Sequence, residues 1–352
     1  MVKKITVKKI LTDEEIKDME GSWIEEKHID KIVKEDSDIY LEENGKKKLI
    51  AKFRKKILSE ELTDLAFDCF KNAAKPSRGR GASAGPINPD NQYWKKRIPV
   101  NTNKWSTQYI VNGDVSKMKV NNQVASNVIG YYEATPFLKL PARMTNYTRS
   151  HFDKFQKGMP FLQKLSALYK NLVPTVHNRQ LRRASKRSYL KIPNTAFSSI
   201  TVNRNFRTAL HVDEGNYKDG MAVQTVIERG KYRGGYTAFP QYGVGIDVRH
   251  GDVLVMDNCH SWHSNTPVYE TKSDKKYNES LEDIFKDNAE VGTAGLDKKY
   301  TRLTFVCYLR EKLLESPESS GGNKYILPFY KKKNTIYKRR KYKPGRKTIK
   351  KK

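Results

Sequence analysis

The hydrophobic period of the chain changes once along its length. In the first half, apolar residues recur at three- and four-residue spacing. Leu62, Leu65, Ala66, Cys69 and Phe70 form one such run, and Leu162, Leu165, Leu168, Tyr169 and Leu172 another. That spacing places each set on one face of an α-helix. The first run predicts a helix over 59–73, capped by Ser59, with Glu60 and Glu61 at its positive end. The second predicts a helix that starts at Pro160 and ends before Pro174. From residue 196 the period becomes two, and 197–202, 221–227, 244–248, 253–256 and 303–309 read as strands. Glycine pairs and polar turns such as Gly234-Gly235 and His250-Gly251-Asp252 separate them. Helices followed by closely spaced short strands predict an α+β fold: a double-stranded β-helix (jelly-roll) core buttressed by N-terminal helices.

Breaks in the pattern suggest boundaries. Residues 1–37 read as a polar N-terminal extension, frayed over about the first 20. The body then spans 38–312, with helical support over 50–190 and the jelly-roll core over 191–312. Within it, 77–85 is too rich in Gly, Ser and Ala for regular structure and reads as a loop. The polar segment 269–300 interrupts the strand pattern and reads as a loop insertion. Residues 313–352 read as a tail, and 331–352 hold thirteen Lys or Arg, no acidic residue, and Tyr337 and Tyr342 between them. Such a block cannot bury itself, so a disordered basic tail is expected.

Charge narrows the partners. Lys and Arg number 68 against 39 Asp and Glu, a net charge of +29. A surplus that clusters calls for a polyanion, and nucleic acid is the commonest. Arg179, Arg182, Arg183, Lys186 and Arg187 form a candidate phosphate track, competing with a merely solvated helix face; Arg339 and Arg340 carry the same role in the tail. No apolar stretch is long enough to span a bilayer, and the N-terminus has no secretory pattern. Three cysteines without C-x-x-C spacing argue against a disulfide framework or a zinc site. The expectation is a soluble, intracellular protein, nuclear or DNA-associated in a eukaryotic cell, with no membrane partner; the oligomeric state stays open.

The chemistry concentrates near His211-Val212-Asp213, where an imidazole and a carboxylate two residues apart can face one metal from a strand end. About fifty residues later, after the apolar strand ending at Met256, come His260 and His263, either of which could complete the set. Two histidines and one carboxylate leave coordination positions open, as in non-haem iron oxygenases. Arg302, opening the strand Arg302-Leu303-Thr304-Phe305, could grip a carboxylate bidentately. Tyr236, Tyr242 and Asn203 are further pocket candidates, although aromatic residues on strands are more often core.

Several stretches resemble the TET/JBP oxygenases, which hydroxylate 5-methylpyrimidines in DNA. They are Arg80-Gly81-Ala82-Ser83-Ala84-Gly85, residues 194–203, Arg207 to Asp213, Gly234 to Gly243, and His260 to Thr266. The resemblance covers roughly 38–312. It implies Fe(II) held by His211, Asp213 and His263, with 2-oxoglutarate anchored by Arg302 and O2 as oxidant. It favours His263 over His260, because Ser264-Asn265-Thr266-Pro267 looks like the segment after the family's distal ligand; His260 is then a supporting or structural residue. The separation of His263 from Arg302 exceeds the family's usual spacing, which the 269–300 insertion accounts for. The implied reaction converts a base methyl group to hydroxymethyl, on thymine or 5-methylcytosine in DNA, with RNA left open. Two rivals remain: a protein hydroxylase of the prolyl or lysyl kind, for which Lys298 or Lys299 could anchor the co-substrate, and a non-catalytic basic nucleic-acid-binding jelly roll.

Overall fold

The computed structural model describes residues 1–133, 142–285, 293 and 295–316. In chain order the main elements are β1 (Lys3–Val7), α1 (Asp13–Asp18), β2 (Lys31–Val33), β3 (Ser37–Glu43), β4 (Lys46–Arg54), α2 (Glu60–Phe70), β5 (Val124–Glu133) and β6 (Ala142–Met144). They continue with α3 (Met159–Leu172), α4 (Pro174–Ser185), β7 (Ser199–Arg204), β8 (Ala222–Arg229), β9 (Thr237–Phe239) and β10 (Val244–Ile246). Last come β11 (Val253–Met256), β12 (Ser264–Asn265), α5 (Lys272–Glu279) and β13 (Thr301–Tyr308).

Two sheets carry the α+β fold. The larger runs β1-β3-β4-β11-β8-β13-β7-β5-β6, and the two residues Pro76–Ser77 add a tenth strand beside β5. Only β1 on β3 is parallel within it. The smaller runs β12-β9-β10-β2. The period of two explains how they pack. On one face of the large sheet, Ile200, Val202, Val223, Ile227, Val253, Val255, Leu303, Phe305 and Cys307 meet the apolar stripes of α2 and α3 in one core. Phe305 lies edge-on to Phe70 and Phe161, with ring centroids 6.1 and 5.1 Å away. On the other face, Val226, Leu254 and Met256 pack against Phe239, Val244 and Ile246 of the small sheet. α2 begins as the sequence indicates, Ser59 Oγ accepting from Leu62 N–H, but ends at Phe70, short of 73; α3 starts at Met159 and stops just before Pro174. The alternate residues of β7 and β13 are left facing the space beyond that second core.

Four boundaries differ from expectation. Residues 1–37 are woven into the body rather than frayed. Ile5 and Val7 alternate with exposed Lys4, Thr6 and Lys8 and are buried in β1, β2 pairs with β10, and Ile16 and Ile24 pack on Leu210 and Ala238. Dense lysine hid a period-two strand there. The support over 50–190 is only partly helical, because it contains most of β4, all of β5 and β6, and a small three-stranded sheet (Ile98–Val100, Gln108–Val111, Asp114–Val115). The 269–300 insertion is a docked element in its described part. Asp274 caps α5 at Thr271 and takes Arg233, while Asn278 bonds the Lys231 backbone. At its far end Asn205 Nδ2 donates to the carbonyls of Gly295 and Tyr300. Leu313 and Leu314 are still packed on the body; the rest of the expected tail, Arg339 and Arg340 included, lies outside the described residues. Among the described residues, no helix is long and apolar enough to cross a membrane.

Candidate active site

The segment leading into His211 is anchored at Arg207 and Thr208 by side-chain bonds to Ile24, Glu25 and Asn265, and nearer the histidine by backbone. Ala209 N–H donates to Ser83, Leu210 N–H to Ser22, and Gly21 N–H to Leu210 (2.8–2.9 Å). His211 and His263 then exchange both backbone N–H···O bonds at 3.0 Å, as an isolated antiparallel pair. Residues paired in this way project their side chains together, and the two rings lie 4.4 Å apart between centroids. Each Nδ1–H donates to a carbonyl two residues earlier: His211 to Ala209 (2.8 Å) and His263 to Ser261 (2.9 Å). Both Nε2 lone pairs are therefore turned inward. Asp213 Oδ1 lies 3.7 Å from Nε2 of His211, and its Oδ2 lies 3.9 Å from Nε2 of His263. Asn258 fixes that carboxylate, accepting from Asp213 N–H at 2.9 Å and donating through Nδ2 to Oδ2 at 2.6 Å.

All three ligand atoms fall within 4.8 Å of one another, the one such cluster among the described residues. Burial, reinforced by neighbouring His263, pushes the His211 imidazole down to about 4. It is neutral at physiological pH, the form that binds metal. His260 points elsewhere: its Nδ1 is 2.8 Å from Asp257 Oδ1, and Lys48 Nζ holds the other oxygen of Asp257 at 2.8 Å.

The triad opens into a cavity of about 370 Å³ between the two sheets. Asn203 and Thr201 of β7, Gln224 of β8, Thr237 of β9, and Thr304, Val306 and Tyr308 of β13 line it, together with Arg80, Tyr132 and Arg310. Asn203 is where the sequence reading placed it, whereas Tyr242 belongs to the apolar core and Tyr236 is not in the wall. Stepping two residues at a time from Arg302 reaches Thr304, Val306, Tyr308 and Arg310, so strand period carries the signal for those wall residues. Nothing comparable in the sequence marks Asn258 or the Gln224–Thr237 hydrogen bond (2.8 Å).

Arg302 is only 3% exposed, at the end of that face. Its Nη1 donates to Thr304 Oγ1 (2.6 Å), its Nη2 to the Gly235 carbonyl (3.2 Å), and its buried Nε has no partner. No acidic side chain pairs with it among the described residues. Its own backbone is clamped, N–H donating to Asn205 Oδ1 at 2.7 Å. Arg310 contrasts with it: its Nε lies 2.9 and 3.1 Å from the two Glu133 oxygens, and Nη2 closes the pair. Arg179, Arg182 and Arg183 of the basic run lie on α4, which buries His177, Gln180 and Ala184, and Lys186 and Arg187 follow directly after it. Arg179, Arg182 and Lys186 are exposed, Arg183 reaches Glu311 at 3.5 Å, and Arg187 bonds the Ser316 carbonyl. The helix ends near the cavity rim, because Glu311 N–H donates to Gly215, a rim residue.

Residues 127–311 match the Tet_JBP family model, the oxygenase domain of the 2OGFeDO superfamily. The bifunctional helicase and thymine dioxygenase JBP2 of Leishmania infantum is 32% identical over 192 residues, covering 54% of this chain and 15% of that protein. The thymine dioxygenase JBP1 of Trypanosoma brucei brucei is 32% identical over 179 residues, covering 50% of this chain and 21% of that protein. The match thus spans 15–21% of the length of these relatives. A solved structure, NgTET1 in complex with 5mC DNA, aligns with a TM-score of 0.46 and 10% identity over 82% of this chain and 84% of that one.

Proposed function

The chain belongs to the Tet_JBP oxygenase-domain family, and from that premise we propose that it is an Fe(II)- and 2-oxoglutarate-dependent dioxygenase hydroxylating the 5-methyl group of a pyrimidine in DNA. The observation that carries this reading is the pairing of two open groups. One is a converging His211–Asp213–His263 donor set, and the other a buried, unpaired guanidinium one hydrogen bond behind the wall of the same cavity. The donor set suits Fe(II), since two imidazoles and one carboxylate leave positions free for co-substrate and O2. Bound there, Fe(II) with 2-oxoglutarate and O2 supplies the oxidising power to convert a C–H bond to C–OH.

The chain's own residues do the rest. Asn258 and the carbonyls of Ala209 and Ser261 orient the three ligands. Arg302 takes the far carboxylate of 2-oxoglutarate, with Thr304 fixing the guanidinium plane. A cavity between sheets cannot admit a base still stacked in a duplex, so the target nucleotide is flipped or single-stranded. Tyr132 and Tyr308 then offer aromatic faces to it. We read the two facing sheets as the double-stranded β-helix of this domain, and the exposed cations of α4 as its phosphate contacts.

The test is nucleoside mass spectrometry after incubating iron-loaded protein with 2-oxoglutarate and DNA carrying only thymine, or thymine and 5-methylcytosine. Hydroxymethyl product with matching succinate is expected. Succinate release stimulated by a protein substrate and not by DNA would overturn the reading; RNA in a parallel arm decides the polymer.

A further inference from the structure

The small sheet at 98–115 stands outside the span matched to the family and has a surface of its own. Its hairpin turns at Asn112-Gly113, both with positive φ (55° and 86°), as a tight two-residue turn requires. Around it Ile98 (64%), Val111 (39%), Val115 (49%) and Met118 (55%) are exposed. Exposed apolar side chains gathered into one patch with a polar rim mark an interaction surface, whereas isolated ones do not. Val111, Val115 and Met118 border a groove of about 550 Å³ whose wall also includes Arg78, Gly79 and Tyr109. Gly79 forms a wall of both this groove and the metal-site cavity, so the two open side by side. The junction is rigid: Asn121 Oδ1 accepts from the N–H groups of Arg80 and Gly81, and Arg78 Nη1 donates to the Asn121 carbonyl.

Charge selects the occupant. Residues 86–121 carry Lys95, Lys96, Arg97, Lys104, Lys117 and Lys119 against Asp90 and Asp114. Lys117 and Lys119, both exposed, flank Met118. A second copy of this surface would bring like charges together, whereas a polyanion with flat apolar faces complements it. Removing one nucleotide from a stack leaves its neighbour with a bare face, and unstacking costs a few kcal/mol. Apolar side chains pressed against that face offset the cost.

We propose that this groove receives the nucleotide adjacent to the one in the cavity, with Val115 and Met118 packing on its base and Lys117 and Lys119 on its phosphates. The proposal rests on the DNA-directed reading above and adds a second nucleotide site, formed by a segment outside the family match.

The experiment measures binding of the full-length protein, without turnover, to duplex DNA carrying 2-aminopurine beside one 5-methylpyrimidine. Lys117→Ala/Lys119→Ala is expected to reduce the slope of log affinity against log salt by about 1 to 2, since each neutralised phosphate contributes about 0.9. Val115→Ser/Met118→Ser is expected to weaken binding roughly fivefold or more with the slope unchanged, and to alter the 2-aminopurine emission. Unchanged melting temperatures show that the hairpin survives, and Met118→Gln alone replaces the double variant if it does not. Lys46→Ala/Lys47→Ala, at the exposed start of β4, is the charge-matched control. The proposal falls if that control reduces the slope as much, if the serine variant binds and emits like the native protein, or if the groove variants affect binding to polyglutamate but not to DNA. Absence of hydroxymethyl product from native protein would instead sink the chemical reading and leave these binding results standing.

Discussion

Four side chains of two kinds divide this molecule into groups left open and groups already closed. His263 and Arg302 are open: one presents a free Nε2 beside Asp213, the other a buried guanidinium with no carboxylate. His260 and Arg310 are closed, on Asp257 and Glu133. A buried charge without a counter-ion is costly, and chains keep one where a ligand will complete it. The closed pairs cost little and need nothing further. Residue type alone does not separate site from scaffold in this chain; completeness of the pairing does.

The sharpest way to break that contrast is to exchange the roles of the histidines. His263→Ala, like His211→Ala or Asp213→Ala, is expected to abolish stoichiometric iron binding, since two remaining ligands hold the ion poorly. His260→Ala is expected to retain it. Metal analysis of the purified variants decides, and iron lost only from the His260 variant would reverse the assignment.

The arginines come next. Arg302→Lys replaces two parallel hydrogen bonds by a point charge and Arg302→Met removes the anchor altogether. For the methionine variant the 2-oxoglutarate concentration needed for half-maximal turnover is expected to rise roughly a hundredfold or more, with iron binding kept. Arg310→Met should leave that requirement near the native one. Equal effects from the two would mean that the anchoring carboxylate site lies nearer Arg310.

Much of this was legible in the chain itself. Strands at 221–227, 253–256 and 303–309, the Ser59 cap and the Pro174 stop follow from local spacing, and local spacing is what sequence displays. His211-x-Asp213 was legible for the same reason. What was hidden depends on partners distant in sequence. Nothing near Ile5 announces that β1 will pair with β3, and lysines on its outer face mask the period. The choice between His260 and His263 is made by Asp257 and the backbone of His211. Glu133 and Arg310 lie 177 positions apart, so their pairing left no local trace.

Stability separates the arginines in the opposite sense. Arg310→Met strands a largely buried Glu133 and should cost about 2–3 kcal/mol, the lower end for breaking a buried pair because both partners keep some exposure. Arg302→Met removes an uncompensated charge and should leave the substrate-free protein at least as stable. Chemical denaturation of the two variants tests this; a large loss for Arg302→Met would show that its bonds to Thr304 and Gly235 hold the fold.

The smallest effect is the pH dependence of the closed pair. Burial by itself raises the Glu133 carboxyl, but the Arg310 hydrogen bonds and charge outweigh it and hold the group below its ordinary value of 4.5. A depressed carboxylate contributes stability that is complete above its unfolded value and is lost as pH falls through the folded one. Other groups titrate nearby: burial raises Asp252 and lowers His211, so the native curve alone mixes several signs. The difference between native protein and Arg310→Met cancels those shared contributions. That difference, read as melting temperature, should be largest near pH 7. It should begin to shrink as pH falls through the Glu133 value of the variant, which burial raises above 4.5 once the guanidinium is gone. Below 4.5 it should go on shrinking, as protons take the place of the guanidinium on native Glu133. A native advantage that survives undiminished to pH 3 would mean that Arg310 stabilises the rim through its contact with Tyr132 (4.8 Å to the ring) rather than through charge.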